Sequence, residues 1–187
     1  GVAYFKQRGL IEKATLQVKQ NGDTLVVGED SLPLKKPFEI NFTIPEMDSL
    51  QKAQSFIGKI SQNGKAYFLS TKKEDNRWVG KSKSLGEFVV SRDSIAPKIV
   101  PLNFKNEQWL SNYSFLKFKI EDDYTGIKSY RGEINGKWIL LEYEPKNNTL
   151  IFDFSDLDFE QALHEVTIEA EDSVGNKTTF AIDFYRK

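Results

Sequence analysis

The chain has no cysteine, a single histidine and a single methionine. Without cysteine there are no disulfides, thiolate zinc sites or cysteine nucleophiles, although the compartment stays open. With His164 alone there is no His-x-His metal pair. No Gly-x-Ser-x-Gly elbow or phosphate-cradling glycine loop stands near it. A surplus of one charge is also missing. The 26 basic and 27 acidic residues are mixed along the chain and leave a formal charge of −1. With no basic stripe, nucleic acid is not the expected partner. The longest apolar runs, such as Trp138 to Leu141, are too short to span a bilayer. The first residues carry no signal-peptide pattern. A chain opening on Gly1 rather than Met reads as part of something longer.

What the chain does have is aromatic and branched residues in alternation. Its 14 Phe, 7 Tyr and 3 Trp supply material for packed cores, which argues against disorder. Phe38, Ile40, Phe42 and Ile44 share one face of a strand that stops at Pro45. Leu116, Phe118 and Ile120 do the same, and Val166, Ile168 and Ala170 match Phe180, Ile182 and Phe184. Alternation over such short windows predicts half-buried strands. Asn21-Gly22, Asn63-Gly64, Asn135-Gly136 and Gly175-Asn176 fall between such stretches, and these residues tolerate the positive φ that tight hairpins need. Only Glu46 to Phe56 and Asp156 to Leu163 read as short helical turns.

Pro97 biases Ala96 toward an extended conformation after the strand Glu87 to Val90. This sets a boundary, with one domain over 1–92 and a second over 93–187. The fold class is all-β, two β-sandwich domains in tandem, the second immunoglobulin-like or fibronectin type III-like. That second domain is expected to hold seven strands: Ile99–Phe104, Tyr113–Glu121, Ile127–Ile134, Lys137–Tyr143, Thr149–Phe154, His164–Ala170 and Lys177–Tyr185. Asn-Gly-Lys precedes an aromatic strand in both halves, at Asn63 and at Asn135, which hints at a distant repeat.

Residues 93–187 resemble bacterial immunoglobulin-like modules through an ordered set of motifs. These are Asp93-x-x-x-Pro97, Ile120-x-Asp122 with Gly126-Ile127, Asn135-Gly136-Lys137-Trp138, and His164-x-Val166 leading to Ala170-x-Asp172-x-x-Gly175-Asn176. In particular the region is similar to the C-terminal module that follows the catalytic domain in lysostaphin-type zinc metallopeptidases of the Bacteroidetes. That family holds zinc with two His and one Asp. This chain has one histidine, so none of the family's catalytic residues carries over. The resemblance implies an accessory region, with zinc only in a catalytic domain outside it and an extracytoplasmic location in the periplasm or at the cell surface.

Asp172 has two readings. With Asp122, Asp123 and Glu171 it offers hard oxygen ligands of the kind calcium takes. Alternatively, it accepts N–H groups in its own turn, beside Gly175 and Asn176. The turn is preferred, since no Asp-x-Asp-x-Asp-Gly loop is present. The segment Asp122-Asp123-Tyr124-Thr125-Gly126 reads the same way. Among 27 acidic residues no motif selects a glycosidase pair at the separation of roughly 5–9 Å that such chemistry uses. His164 is read as a structural hydrogen-bonding residue. The ligand-binding candidates are aromatic: Trp109, Trp78 and Tyr130, on which sugar rings would stack. Trp109 sits in a polar connection and is expected to be exposed, whereas Trp138, following a hairpin, is expected in the core.

The chain is therefore read as a non-catalytic accessory or targeting region of a secreted or envelope-associated bacterial protein, plausibly a peptidoglycan-cleaving metallopeptidase. Its expected partners are cell-wall glycan, an envelope protein and the host's own catalytic domain. The alternative is a carbohydrate-binding or adhesin module of an unrelated surface protein.

Overall fold

The computed structural model describes residues 1–7, 9–11 and 15–187. The chain divides into two compact units, Gly1–Asp93 and Ser94–Lys187. The division falls after Asp93, whose N–H donates to Gln54 O of the first unit.

The first unit contains β1 (Val2–Tyr4), β2 (Val18–Asn21), β3 (Thr24–Val27), β4 (Phe38–Thr43), α1 (Ser49–Gln54), β5 (Ser55–Ile60), β6 (Ala66–Leu69), β7 (Thr71–Glu74), β8 (Arg77–Ser82) and β9 (Gly86–Arg92). They form two sheets, β1-β4-β8-β7 and β2-β3-β9-β5-β6. Alternation explains the core between them. Phe38, Ile40 and Phe42 point inward from β4, and Leu25, Val27, Ile57 and Phe88 come from the other sheet. Gly80 lies opposite Ile40, and a side chain there would meet Ile57 Cδ1 at 3.3 Å. The missing Cβ is what lets Ile57 of the facing sheet seat over β8.

The sequence places a helical turn within Glu46–Phe56, and α1 lies inside it, with Asp48 Oδ1 accepting from Gln51 N at 2.7 Å as an N-cap. Lys73 closes the other end by donating to the carbonyls of Lys52 and Ala53 at 2.7 and 2.6 Å. A cation at a helix C-terminus satisfies orphan carbonyls and meets the negative end of the dipole. Burial, and secondarily Lys52, lowers the pKa of this ammonium from its usual value.

The second unit contains β10 (Lys98–Pro101), β11 (Gln108–Trp109), β12 (Phe115–Glu121), β13 (Ile127–Ile134), β14 (Lys137–Ile139), β15 (Glu142–Glu144), β16 (Thr149–Asp153), β17 (Leu163–Asp172) and β18 (Lys177–Tyr185). Its sheets are β10-β12-β16-β15 and β11-β18-β17-β13-β14. This is the strand order of an immunoglobulin-like sandwich, with β11 added parallel to β18. Leu116, Phe118, Ile120, Leu150 and Phe152 from one sheet meet Ile134, Val166, Ile168 and Phe184 from the other.

Two expectations about local structure are corrected. The stretch Lys137–Tyr143 is not one strand. β14 pairs with β13, whereas β15 pairs with β16 of the opposite sheet. The chain crosses at Leu140 and Leu141, with Leu141 turned into the core and Leu140 left exposed. Gly132 makes room for the crossing, since a Cβ there would meet Leu141 Cδ1 at 2.5 Å. Nor is Asp156–Leu163 helical. A single 3₁₀ turn, Phe154–Asp156, overlaps it at Asp156 alone and ends where Leu157 is extended at φ −145°.

The two Asn-Gly-Lys hairpins occupy the same topological place. One joins β5 to β6, and the other joins β13 to β14. The sheet orders β1-β4-β8-β7 and β10-β12-β16-β15 also correspond strand for strand. The turns themselves differ. Asn135 and Gly136 both have positive φ, 51° and 74°, as a type I′ turn requires, while at Asn63-Gly64 only the glycine does.

Candidate functional site

The inner and outer faces of the sheet β11-β18-β17-β13-β14 follow from register. Val166, Ile168 and Phe184 are buried, so Leu163, Glu165, Thr167 and Glu169 of β17 face outward with Tyr185, Asp183, Ala181 and Thr179 of β18. Trp109 is level with Tyr185 on this outer side, and Trp138 of β14 is level with Glu133, itself opposite Thr167. Both tryptophans are 59% exposed. Trp109 and Tyr185 are stacked, with ring centroids 5.3 Å apart and planes 24° from parallel. Tyr185 thus braces one face of the indole and leaves the other open, an offset geometry that aromatic pairs favour. The indoles stand at opposite edges of the sheet, with Asp183, Glu165, Ala181 and Thr167 on the two middle strands between them. Four strand spacings and four residues of rise put their Cα atoms on the order of 20 Å apart.

Of the three aromatic candidates from sequence, only Trp109 lies on this face. Trp78 is a correction. It is fully buried opposite Phe42 in the core of the first unit and offers no face to a ligand. Tyr130 is also a correction. It points inward from β13, packs against the core, and has its ring 6.0 Å from that of Tyr143. Trp138, expected in the core, is exposed instead. The sequence held a signal for it. With Ile134 and Ile139 both inward across a two-residue turn, Trp138 must pair with Glu133 on the outside.

Two of the three acidic candidates, Asp122 and Asp172, accept hydrogen bonds within turns. Asp122 Oδ1 accepts from the N–H groups of Tyr124, Thr125 and Gly126 at 3.1, 2.7 and 2.6 Å. Asp172, fully buried, accepts at Oδ1 from Val174 N and Asn176 N at 2.9 and 2.8 Å, and at Oδ2 from Asn176 Nδ2 at 2.6 Å. The two turns come together, with an Asp122 and an Asp172 carboxylate oxygen within 4.8 Å of each other. Asp123 is exposed beside them.

His164 is buried. Its Nε2 faces the carbonyls of Gln161 and Arg186 at 2.8 and 3.2 Å, so it carries the proton and donates. Its Nδ1 accepts from Asn135 Nδ2 at 2.9 Å, while Asn135 Oδ1 accepts from Glu165 N. The ring therefore ties the β13–β14 turn to the C-terminal strand, with both nitrogens in hydrogen bonds.

Farther along the outer face, Lys128 and Lys177 bond Glu171 at 2.6 and 3.4 Å and hold its carboxyl below the usual glutamate range. A depressed folded-state pKa contributes stability that is present above the unfolded value and lost as pH falls through the folded one. Glu171→Gln is therefore expected to flatten the acid limb of the melting temperature. Both proteins should converge at the lowest pH, which thermal scans from neutral to strongly acidic buffer would show.

No family model matches the chain, and no curated protein matches it. Among solved structures it is similar to the fibronectin(III)-like modules of Clostridium thermocellum CbhA, at 11% identity over 80% of this chain and 85% of that one, with a TM-score of 0.38.

Proposed function

We propose that the chain is a non-catalytic module that holds cell-wall glycan for a secreted or envelope-associated bacterial protein, outside the cytoplasm. The observation that carries this reading is the pair of exposed tryptophans, Trp109 and Trp138, on one sheet face. Large aromatic side chains left in water on a rigid face signal a binding surface. Their faces suit the apolar C–H faces of sugar rings, and Thr167, Glu165 and Asp183 supply groups for hydroxyls. An extended ligand fits the separation of the two indoles better than a small one. The sequence resemblance supports a lysostaphin-type zinc peptidase as the host. Zinc would then be held outside this chain, and an upstream His-x-x-x-Asp with a later His-x-His in the gene is the check on that host.

Retention on insoluble peptidoglycan tests the binding. Trp109→Ala and Trp138→Ala are each expected to weaken it roughly tenfold, about 1.4 kcal/mol, and the double variant should wash through. Thermal unfolding should show both variants folded. Retention equal to wild type in the double variant would refute the proposal.

A further inference from the structure

Between the row holding Trp109 and Tyr185 and the row holding Trp138 and Thr167 lies a pair of acids, Asp183 and Glu165. They are directly opposite each other across β18 and β17. Glu169 faces the same side farther along β17, opposite Thr179. Like charges directly opposite each other in a sheet are destabilising. Here the pair is unrelieved. Among the described residues, no cation forms an ion pair with Asp183 or Glu165, while Glu169 has Arg131 directly opposite it on β13, where that guanidinium bonds Glu133. The only side-chain group on the Glu165 carboxylate among the described residues is the hydroxyl of Thr167, at 3.5 Å. The aromatic face thus carries uncompensated negative charge at its middle, where a ligand spanning the two indoles would cross.

We infer that this face prefers an amino-sugar polymer bearing free ammonium groups, a de-N-acetylated hexosamine chain, over its neutral N-acetylated form. The inference rests on the glycan-binding reading and adds the charge of the ligand to it. Sugar faces would stack on Trp109 and Trp138, and an ammonium would sit against Asp183 and Glu165, relieving their repulsion. A charge-assisted contact is roughly twice as strong as a neutral one. Because Glu165 is exposed and Asp183 half-buried, the preference should shrink with added salt.

The test is calorimetric titration of the full chain with glucosamine oligomers and with N-acetylglucosamine oligomers of equal length, at mildly acidic pH where the amines are protonated. The glucosamine form is expected to bind about tenfold tighter at low salt. The double variant D183N/E165Q, confirmed as folded by its melting curve, should lose that preference and bind the two oligomers alike. Equal binding of both oligomers would overturn the charge preference and leave the glycan reading standing. A preference that survives in D183N/E165Q would overturn the assignment to these residues. Binding of neither oligomer, together with wild-type wall retention by the double tryptophan variant, would overturn both.

Discussion

Replacing Trp78 by alanine is expected to destabilise the first unit by about 3–5 kcal/mol, the usual range for emptying a large buried aromatic site. Replacing it by phenylalanine is expected to change stability by no more than about 1 kcal/mol. The difference comes from the indole nitrogen. Trp78 is buried between the sheets, and among the described residues its Nε1–H has no hydrogen-bond partner. An unpaired buried donor costs about 1–3 kcal/mol, so phenylalanine removes a penalty while opening a small void, and the two effects oppose each other. Lys73, whose Nζ lies 5.1 Å from the Trp78 ring centroid, keeps an aromatic face in the phenylalanine variant and loses it in the alanine one. Urea titration of the three proteins would check this. A phenylalanine variant as unstable as the alanine one would show that the indole N–H is satisfied.

Alanine at Asp172 is expected to cost the second unit about 3–5 kcal/mol, because hydrogen bonds to a charged acceptor are each worth about 1.5–3 kcal/mol and their donors would be left unpaired. For a unit of this size that is a fall in melting temperature of roughly 12–30 °C. Asparagine keeps one oxygen for Val174 N and Asn176 N and removes a charge close to Asp122, so a loss of about 1–2 kcal/mol is expected. The loss in the alanine variant should appear in full in the presence of chelator, since the bonds are made within the turn. A loss that appears only in calcium-containing buffer would favour a cation at the paired aspartates instead.

Much of this was legible in the sequence, for identifiable physical reasons. Strands such as Phe38–Thr43 and Leu163–Asp172 are buried on one face only, so their period of two is written plainly. Turns that need positive φ, such as Asn135-Gly136, are marked by residue type. The sheet change between β14 and β15 was not marked. The run Trp138 to Leu141 is apolar throughout, and its alternation is visible only once Gly132 is known to lie under Leu141. The added strand β11 is two residues long, too short for any periodicity, and it exists because Leu110 N–H and Glu107 N–H bond Tyr185 O and Asp183 O.

The tryptophans were sorted wrongly for a related reason. Trp78 sits among Arg77, Lys72 and Lys73, which reads as a wet segment, yet its register opposite Phe42 turns it inward. Trp138 follows a hairpin in an apolar run, which reads as core, yet it lies on an edge strand facing out. Local composition misled in both cases, and pairing register decided. The acids at Asp122 and Asp172 were easier, because a carboxylate followed by glycine within a few residues announces its own turn.

The most direct test of the glycan-binding account uses the indole N–H signals of the 3 tryptophans in a nitrogen-labelled sample titrated with soluble, wall-derived glycan strands. Trp109 and Trp138 should shift in a saturable way, while the buried Trp78 stays in place as an internal control. Indole signals that all remain fixed at the highest glycan concentration would contradict the account.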